Sequence, residues 1–556
     1  MADTTSRRAP RRAVAGAAHR LRRAPGGIAL RLAVVALGAM FAFPGAYLIY
    51  RNFSAGADPW SLLADDRTLG PLLRTLRLAF AVSVAAGVLG TALAWLTTRT
   101  DLAGRRLWSV LAPLPLVFPT FIGAAAFIRT LNPGGLLNRS LDAFGIDFTF
   151  QLRGFFGAWL VLTLFTYPYV YLPVAARLRH LPGSLEETAR VLGNSPLDVF
   201  TRVCLPQIAG SIAAGTLLVF LYAVSDFGAV QLMAYDTLTR AVHSSHLSSP
   251  AVALALSLLL LATAGVVVAV ERALSARLPA DSGAPAGVCV VYPLGRWQLP
   301  CQGVVWTTGL VAIGAPVASL ADWAVGGLLR SARGGRPLTI GFADVAGAAW
   351  NTTLGAALAA LLSAVAVLPI ALLVVRHRSR LGRLAHVVVI STFAVPGILI
   401  ALALRFWTLR SDIADDLLAG TLALLVLAYV VRFASLAMGV TLLAVRAVPQ
   451  SVRDSARLLG ASAPRRFATI ELPLLAPGIA AGAGLVLLSV MKELPISLLV
   501  APLGFPTLTT RIYGAFTDAF VAEAGILSLV LLLASFALSW LLFLRAGAQR
   551  THAGRN

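Results

Sequence analysis

The chain has 556 residues, 58% of them hydrophobic and only 13% charged, with a mean hydropathy of +0.81. No soluble fold can hide that much apolar surface, so the composition specifies a polytopic membrane protein. The formal charge of +22 rests on arginine, Lys492 being the one lysine, and reads as retention of basic residues in cytoplasmic loops rather than as nucleic-acid binding.

Residues 1–27 form an arginine-rich arm (Arg7, Arg8, Arg11, Arg12, Arg20, Arg22, Arg23) like the basic region of a signal peptide. The apolar run Ile28 to Tyr50 is long enough to span, and no small-residue cleavage site follows it, which predicts an uncleaved first span. Ser6-Arg7-Arg8 lacks the hydrophobic continuation of a twin-arginine signal. Further spanning stretches fall near 76–98, 107–128, 155–176, 207–225, 250–270, 301–321, 352–375, 384–404, 417–440, 474–491 and 522–544, about twelve in all. The expected organisation is a first half at 28–271, a linker at 272–300 (Pro279, Asp281, Gly283, Pro285, Gly287), a second half at 301–545 and a tail at 546–556. Arginine-rich turns at 99–106 and 376–383 place the N-terminus, linker and tail in the cytoplasm. The three cysteines, Cys204, Cys289 and Cys301, are odd in number and form no CxxC, so neither a disulfide framework nor a zinc site is expected.

The halves repeat. Glu187-Thr188-Ala189, three residues, Gly193, nine residues and Val203-Cys204-Leu205-Pro206 recur 267 positions later. The second copy is Asp454-Ser455-Ala456, Gly460 and Ile470-Glu471-Leu472-Pro473. Thr75-Leu76 matches Thr352-Thr353-Leu354, Val117-Phe118-Pro119 matches Ala394-Val395-Pro396, and Thr237-Leu238-Thr239-Arg240 matches Leu508-Thr509-Thr510-Arg511. Six spans per half give both halves one orientation, a parallel repeat about an axis along the membrane normal. Within each motif, Ser184 with Glu187 and Ser451 with Asp454 fit a capping box after Pro182 or Pro449. This predicts a short helix ended by Gly193 or Gly460, then a second piece from Pro196 or Pro464 that stops at Leu205-Pro206 or Leu472-Pro473.

The paired motif, at 182–206 and 449–473, resembles the EAA loop with which permeases of ABC importers dock onto their ATPase. Two copies in one chain resemble a fused permease. The strings Ser225-Asp226-Phe227-Gly228-Ala229-Val230 and Tyr235-Asp236-Thr237-Leu238-Thr239-Arg240 are similar to the fused iron(III) permease family. So are Met491-Lys492-Glu493-Leu494-Pro495-Ile496-Ser497-Leu498-Leu499 and Thr507-Leu508-Thr509-Thr510-Arg511-Ile512. Fused permeases for thiamine or 2-aminoethylphosphonate share the architecture. The second motif has aspartate where the family has glutamate, and Thr188 and Ser455 replace its central alanine. The resemblance implies an all-α integral membrane protein of the type I importer class in the inner cell membrane, with no cofactor. Its implied partners are an ATPase dimer, an extracytoplasmic solute-binding protein and the lipid bilayer. Glu187, Ala189, Gly193, Leu205, Pro206, Asp454, Ala456, Gly460, Leu472 and Pro473 are its coupling residues.

No phosphate-binding loop is possible, since the one lysine follows Met491, so ATP hydrolysis belongs to a separate subunit and no catalytic residue is assigned. Asp226 and Glu493, 267 positions apart, sit at the outer ends of their spans beside Lys492 and are candidates for the substrate path. Helix capping is the competing role. Arg432 and Arg31 are further intramembrane candidates, Arg31 being explained by snorkelling. His243 and His246 could share a helical face, but without further ligands nearby no metal site is assigned. A secondary transporter of major-facilitator type has the same span count and would lack the paired docking loops.

Overall fold

Membrane-length apolar runs become helices because only a helix satisfies every backbone N–H and C=O within one segment. The computed structural model of the protein describes residues 26–54, 66–133, 135–146, 150–275, 290–333 and 337–553. The arm before residue 26, Cys289, the linker prolines and glycines, and the end of the tail lie outside these. The first half builds α1 (Gly26–Ser54), α2 (Asp66–Arg99), α3 (Arg105–Leu111), α4 (Thr120–Leu131), α5 (Leu136–Asp142), α6 (Gly154–Thr166) and α7 (Pro168–Arg179). It continues with α8 (Gly183–Val191), α9 (Pro196–Val199), α10 (Leu205–Ser225), α11 (Gly228–Leu232), α12 (Leu238–Ser248) and α13 (Pro250–Ser275). The second half builds α14 (Gln298–Gly309), α15 (Ala315–Ala332), α16 (Phe342–Val375), α17 (Arg380–Thr392), α18 (Gly397–Thr408), α19 (Asp412–Leu418) and α20 (Leu422–Ala447). It ends with α21 (Gln450–Leu458), α22 (Ala463–Arg466), α23 (Leu472–Val490), α24 (Pro495–Val500), α25 (Leu508–Thr517) and α26 (Val521–Ala553). Among the described residues the one β pairing is a bridge between Thr100 and Tyr292.

Among the described residues ten helices are long and apolar enough to cross a membrane, and two bent helix pairs raise this to twelve if each is one span. The straight spans expected near 107–128 and 384–404 are therefore corrected. The chain turns by 99° between α3 with its 3-10 extension Leu114–Val117 and α4, and by 105° between α17 and α18. The cause is Pro119 and Pro396, which stand at the N-caps of α4 and α18 in extended conformation (ψ 135° and 140°). Each lacks an N–H and pushes its predecessor out of the helical region, as at Phe118 (ψ 128°).

Prolines act more gently at three other places. Short π-helical turns at Phe200–Cys204, Leu310–Gly314 and Phe467–Glu471 each end just before an X-Pro pair that opens the next helix. A proline cannot donate to the carbonyl four residues back, and a slip to five-residue spacing keeps the helix running. The second motif piece therefore does not stop at Leu205-Pro206 or Leu472-Pro473, as expected. It runs through the π turn into α10 or α23.

Helices approach closely where a side chain is missing. A Cβ at Gly215 on α10 would lie 2.7 Å from the Cα of Val170 on α7. Its repeat partner Gly482 on α23 would meet the Cα of Ala437 on α20 at 3.1 Å. Small residues at such crossings let membrane helices pack without a hydrophobic driving force between them. Large apolar side chains on the outer faces, Phe80, Val84 and Val88 on α2 and Leu361 and Val365 on α16, remain exposed, as a lipid-facing surface requires. The halves also exchange their first helices: α1 packs on α16, α17 and α18 of the second half, and α15 packs on α4 of the first. The arginine-rich turns lie at the same end as the motif loops, because Arg99 contacts Glu186 of α8 and Arg376 contacts Glu471 just before α23.

Candidate functional site

Both motif loops fold alike. Pro182 and Pro449 are the N-caps of α8 and α21, with no side-chain capping bond. Ser184 and Ser451 therefore lie inside the first turn, which corrects the expected capping boxes: a residue with helical backbone cannot reach back to cap its own helix. The C-terminal ends match the expectation. Gly193 (φ 84°) and Gly460 (φ 78°) are left-handed. The N–H of Gly193 donates to Arg190 O at 2.9 Å and that of Asn194 to Ala189 O at 3.2 Å. Gly460 to Arg457 and Ala461 to Ala456 repeat this at 3.0 Å each, so both ends are Schellman motifs. No atom lies within 4 Å of a Cβ built on either glycine, so a side chain there meets backbone strain, not a clash within this chain.

The helix faces divide the predicted residues. Ala189 and Ala456 point inward and are buried, while Glu187 is exposed and Asp454 half-buried, 3.5 Å from Arg457. Leu205, Pro206, Leu472 and Pro473 begin the long helices rather than closing the motif's second helical piece. Just before each left-handed glycine, two large apolar side chains stand in the open: Val191 and Leu192, and Leu458 and Leu459, each more than three-quarters exposed. The residue-by-residue motif match passed over these pairs, although an apolar doublet before glycine is visible in both copies. In the first loop Ser195 donates to the exposed Asp198 at 2.5 Å, which holds that carboxyl below its ordinary range and starts α9.

At the far ends of α10 and α23, about 30 Å away at 1.5 Å per residue, a cavity of about 140 Å³ lies between the halves. Asp226, Glu493, Lys492 and Arg432 line it together with Pro119 at the first break and Phe393 and Gly397 beside the second. Asp226 accepts from Thr120 Oγ1 at 2.6 Å and from the N–H of Ala229 at 2.9 Å, so it caps α11 and grips the first residue of α4. Glu493 occupies the matching place, accepting weakly from the N–H of Ile496 at 3.5 Å. A Cβ on Gly397, the second-half counterpart of Thr120, would run into its carboxylate. The longer acid is thus matched by the smaller neighbour. Capping and cavity-lining, alternatives in the sequence, coexist in one side chain.

The cations serve the breaks. Lys492 Nζ donates to Leu116 O at 2.8 Å, from the second half to the 3-10 turn before Pro119. Arg432 Nη1 donates to Phe393 O at 2.5 Å and to Val395 O, the carbonyls just before Pro396. Each break thus places carbonyls where a cation can bind them. Arg31 does not line the cavity. His243 packs on Phe227 (ring centroids 4.8 Å) beside His246, and neither histidine lines the cavity. Among the described residues no three His, Cys, Asp or Glu side chains cluster as metal ligands.

Comparison with known proteins converges on this architecture. A family model described as "Binding-protein-dependent transport system inner membrane component" matches twice, at residues 84–278 and 356–552. The chain is 29% identical over 519 residues to the Fe(3+)-transport system permease protein FbpB 2 of Haemophilus influenzae, covering 91% of this chain and 96% of that protein. It is 30% identical over 217 residues to the molybdenum transport system permease protein ModB of Mycobacterium tuberculosis, covering 38% of this chain and 80% of that protein. To the sulfate transport system permease protein CysT of Escherichia coli it is 29% identical over 178 residues, 32% of this chain and 63% of that protein.

Proposed function

Because the chain belongs to the family of binding-protein-dependent transport system inner membrane components, we propose that its two halves, 28–271 and 301–545, form the whole path for iron(III) across the membrane. It is a permease of an importer, a transport subunit and not an enzyme, with the all-helical, twice-repeated build of the type I class. A separate ATPase dimer drives it, and an extracytoplasmic solute-binding protein loads it. The motif loops, termini and linker face the cytoplasm. Each ATPase subunit takes one docking helix in a groove: α8 with Val191 and Leu192, or α21 with Leu458 and Leu459. The inward Ala189 and Ala456 let the helix lie close to its own half, and the left-handed glycines turn the chain sharply behind it.

The observation that carries the substrate reading is the pseudo-symmetric pair Asp226 and Glu493 on one cavity between the halves, in a chain similar along nearly all its length to an Fe(3+) permease. A cation leaving its binding protein meets one carboxylate from each half. Such groups lower the barrier without chelating tightly, so the cargo is not held. A second reading is favoured by Lys492 and Arg432 on the same cavity and by the sulfate and molybdenum relatives: an oxyanion cargo. None of the relatives named above favours thiamine or a phosphonate.

The test is uptake into proteoliposomes holding the chain, its ATPase and its binding protein. Radiolabelled ferric ion is expected to accumulate with ATP. Accumulation of sulfate or molybdate and not iron would replace the iron reading with the oxyanion one. Uptake by the chain alone under a proton gradient would refute the ATP-driven reading.

A further inference from the structure

Glu186 stands in the first turn of α8, beside the Glu187 of the motif, yet it is fully buried. Its Oε1 lies 2.8 Å from Nη1 of Arg99, the last residue of α2, whose side chain is also wholly buried. Arg99 Nη2 donates to Leu178 O at 2.6 Å and Leu181 O at 3.2 Å, the carbonyls that lead into α8. Tyr292, in the linker, donates its hydroxyl to Glu186 Oε2 at 2.7 Å. The backbone of Tyr292 pairs with Arg99 O at 2.8 Å, and burial, reinforced by Glu186, pushes its phenol pKa up, so it stays a donor. Cys204, at the foot of α10, is buried against Glu186.

The second half builds the same crossing with the charges moved. Position 453, which follows Glu186 by 267, is arginine, and position 471, which follows Cys204 by 267, is glutamate. Glu471 is buried against Arg376, against Arg466 at 3.0 Å and against Arg453 of the docking helix at 3.6 Å. Arg376 directly follows α16, as Arg99 ends α2. One buried acid, paired with the arginine at the end of α2 or just after α16, therefore joins the same three elements in both halves. It rides on the docking helix in the first half and on the membrane helix in the second. A buried ion adds little net stability but is costly to orphan, so this arrangement fixes geometry.

We propose that Glu186 and Glu471 are positioning residues that clamp α8 and α21 to the membrane helices behind them, so that each docking helix moves with its half as one body, and that the acid can serve from either position. This rests on the docking reading above. The linker strengthens only the first clamp, through Tyr292.

The test uses the full chain with its ATPase and binding protein in proteoliposomes, and four variants: Glu186→Gln, Glu186→Arg, Cys204→Glu, and Glu186→Arg combined with Cys204→Glu. Glu186→Gln is expected to keep ATPase association and ATP turnover within about twofold, while cargo moved per ATP falls about tenfold, within the usual range of coupling between sites. Glu186→Arg sets a second buried cation against Arg99 and is expected to lose assembly. The double variant recreates the second-half pattern and is expected to regain uptake to within about threefold of wild type. Cys204→Glu alone crowds two acids and is expected to fall below the double variant. The proposal is overturned if the double variant is no better than Glu186→Arg. It is equally overturned if uptake and hydrolysis fall in step in Glu186→Gln, which marks a merely structural role. Heat unfolding of the detergent-solubilised chain alone, where the double variant must recover what Glu186→Arg loses, tests the clamp without any ATPase. A wild-type chain that binds no ATPase would instead sink the docking reading and leave that result standing.

Discussion

Lys492→Met removes one charge and one hydrogen bond while keeping most of the side-chain volume. The bond it removes, Lys492 Nζ to Leu116 O at 2.8 Å, joins the second half to the break in the first. Any separation of the halves at this depth has to break it. A hydrogen bond to a charged group contributes about 1.5–3 kcal/mol, and the abandoned Leu116 carbonyl keeps its desolvation cost. Taking about 2 kcal/mol, the balance between joined and parted halves shifts about 30-fold toward parted. Basal ATP turnover by the reconstituted complex, without binding protein or cargo, reads that balance. It should rise in Lys492→Met and stay near wild type in Lys492→Arg, which keeps a donor of similar reach. Omitting the cargo removes any effect of the cavity charge on substrate. If Lys492→Met leaves basal turnover within about twofold of wild type, the contact does not hold the halves together and the argument fails.

Gly193→Val with Gly460→Val should abolish uptake with normal membrane insertion, because a left-handed residue with a branched side chain costs about 1–2 kcal/mol or more at each motif turn; recovery of ATPase in a pull-down at wild-type yield would refute it. Leu192→Asp with Leu459→Asp should abolish that pull-down by placing charges on the exposed apolar pairs, and retained binding would move the docking surface elsewhere. Asp226→Asn with Glu493→Gln should slow ferric uptake more than either change alone while ATP turnover persists, since Asn still caps α11; equal uptake would make the carboxylates caps only. Gly215→Val should lower the unfolding temperature of the detergent-solubilised chain, overpacking against Val170 backbone costing about 1–3 kcal/mol, whereas Gly45→Ala, which meets nothing within 4 Å, should change it little.

Spans, repeat and the short motif helices were legible in the sequence because each depends on local pattern: apolar length, a recurring motif, glycine at a helix end. The acids Asp226 and Glu493 were legible for the same reason, as charges at the ends of apolar runs. The breaks were not. Pro119 and Pro396 sit inside apolar runs, and a proline in a membrane helix is compatible with a kink as well as a right-angle turn. What distinguishes them is the supply of donors to carbonyls near the break, and Lys492 is 376 residues from the Leu116 it serves. Arg432 shows the same limit on a shorter scale, 37 residues from Val395. The capping boxes failed because prolines at 182 and 449 started the helices earlier than the serines could. The Glu186 and Glu471 clamps were invisible because an acid beside a motif reads as solvated until its partners are seen.

A permease made of two identical subunits must place every side chain on its axis twice. A lysine reaching across that axis would bring its own copy, and the pair would repel. Joined in one polypeptide, the halves are released from this rule. Position 225 is serine where position 492 is lysine, and position 165 is phenylalanine where position 432 is arginine. Each cation thus works alone in the middle of the molecule, against a neutral or aromatic counterpart. Covalent continuity between the halves therefore does more than hold two copies together. It licenses unrepeated cations in the cavity between the halves, and with them an asymmetry that point-group symmetry forbids.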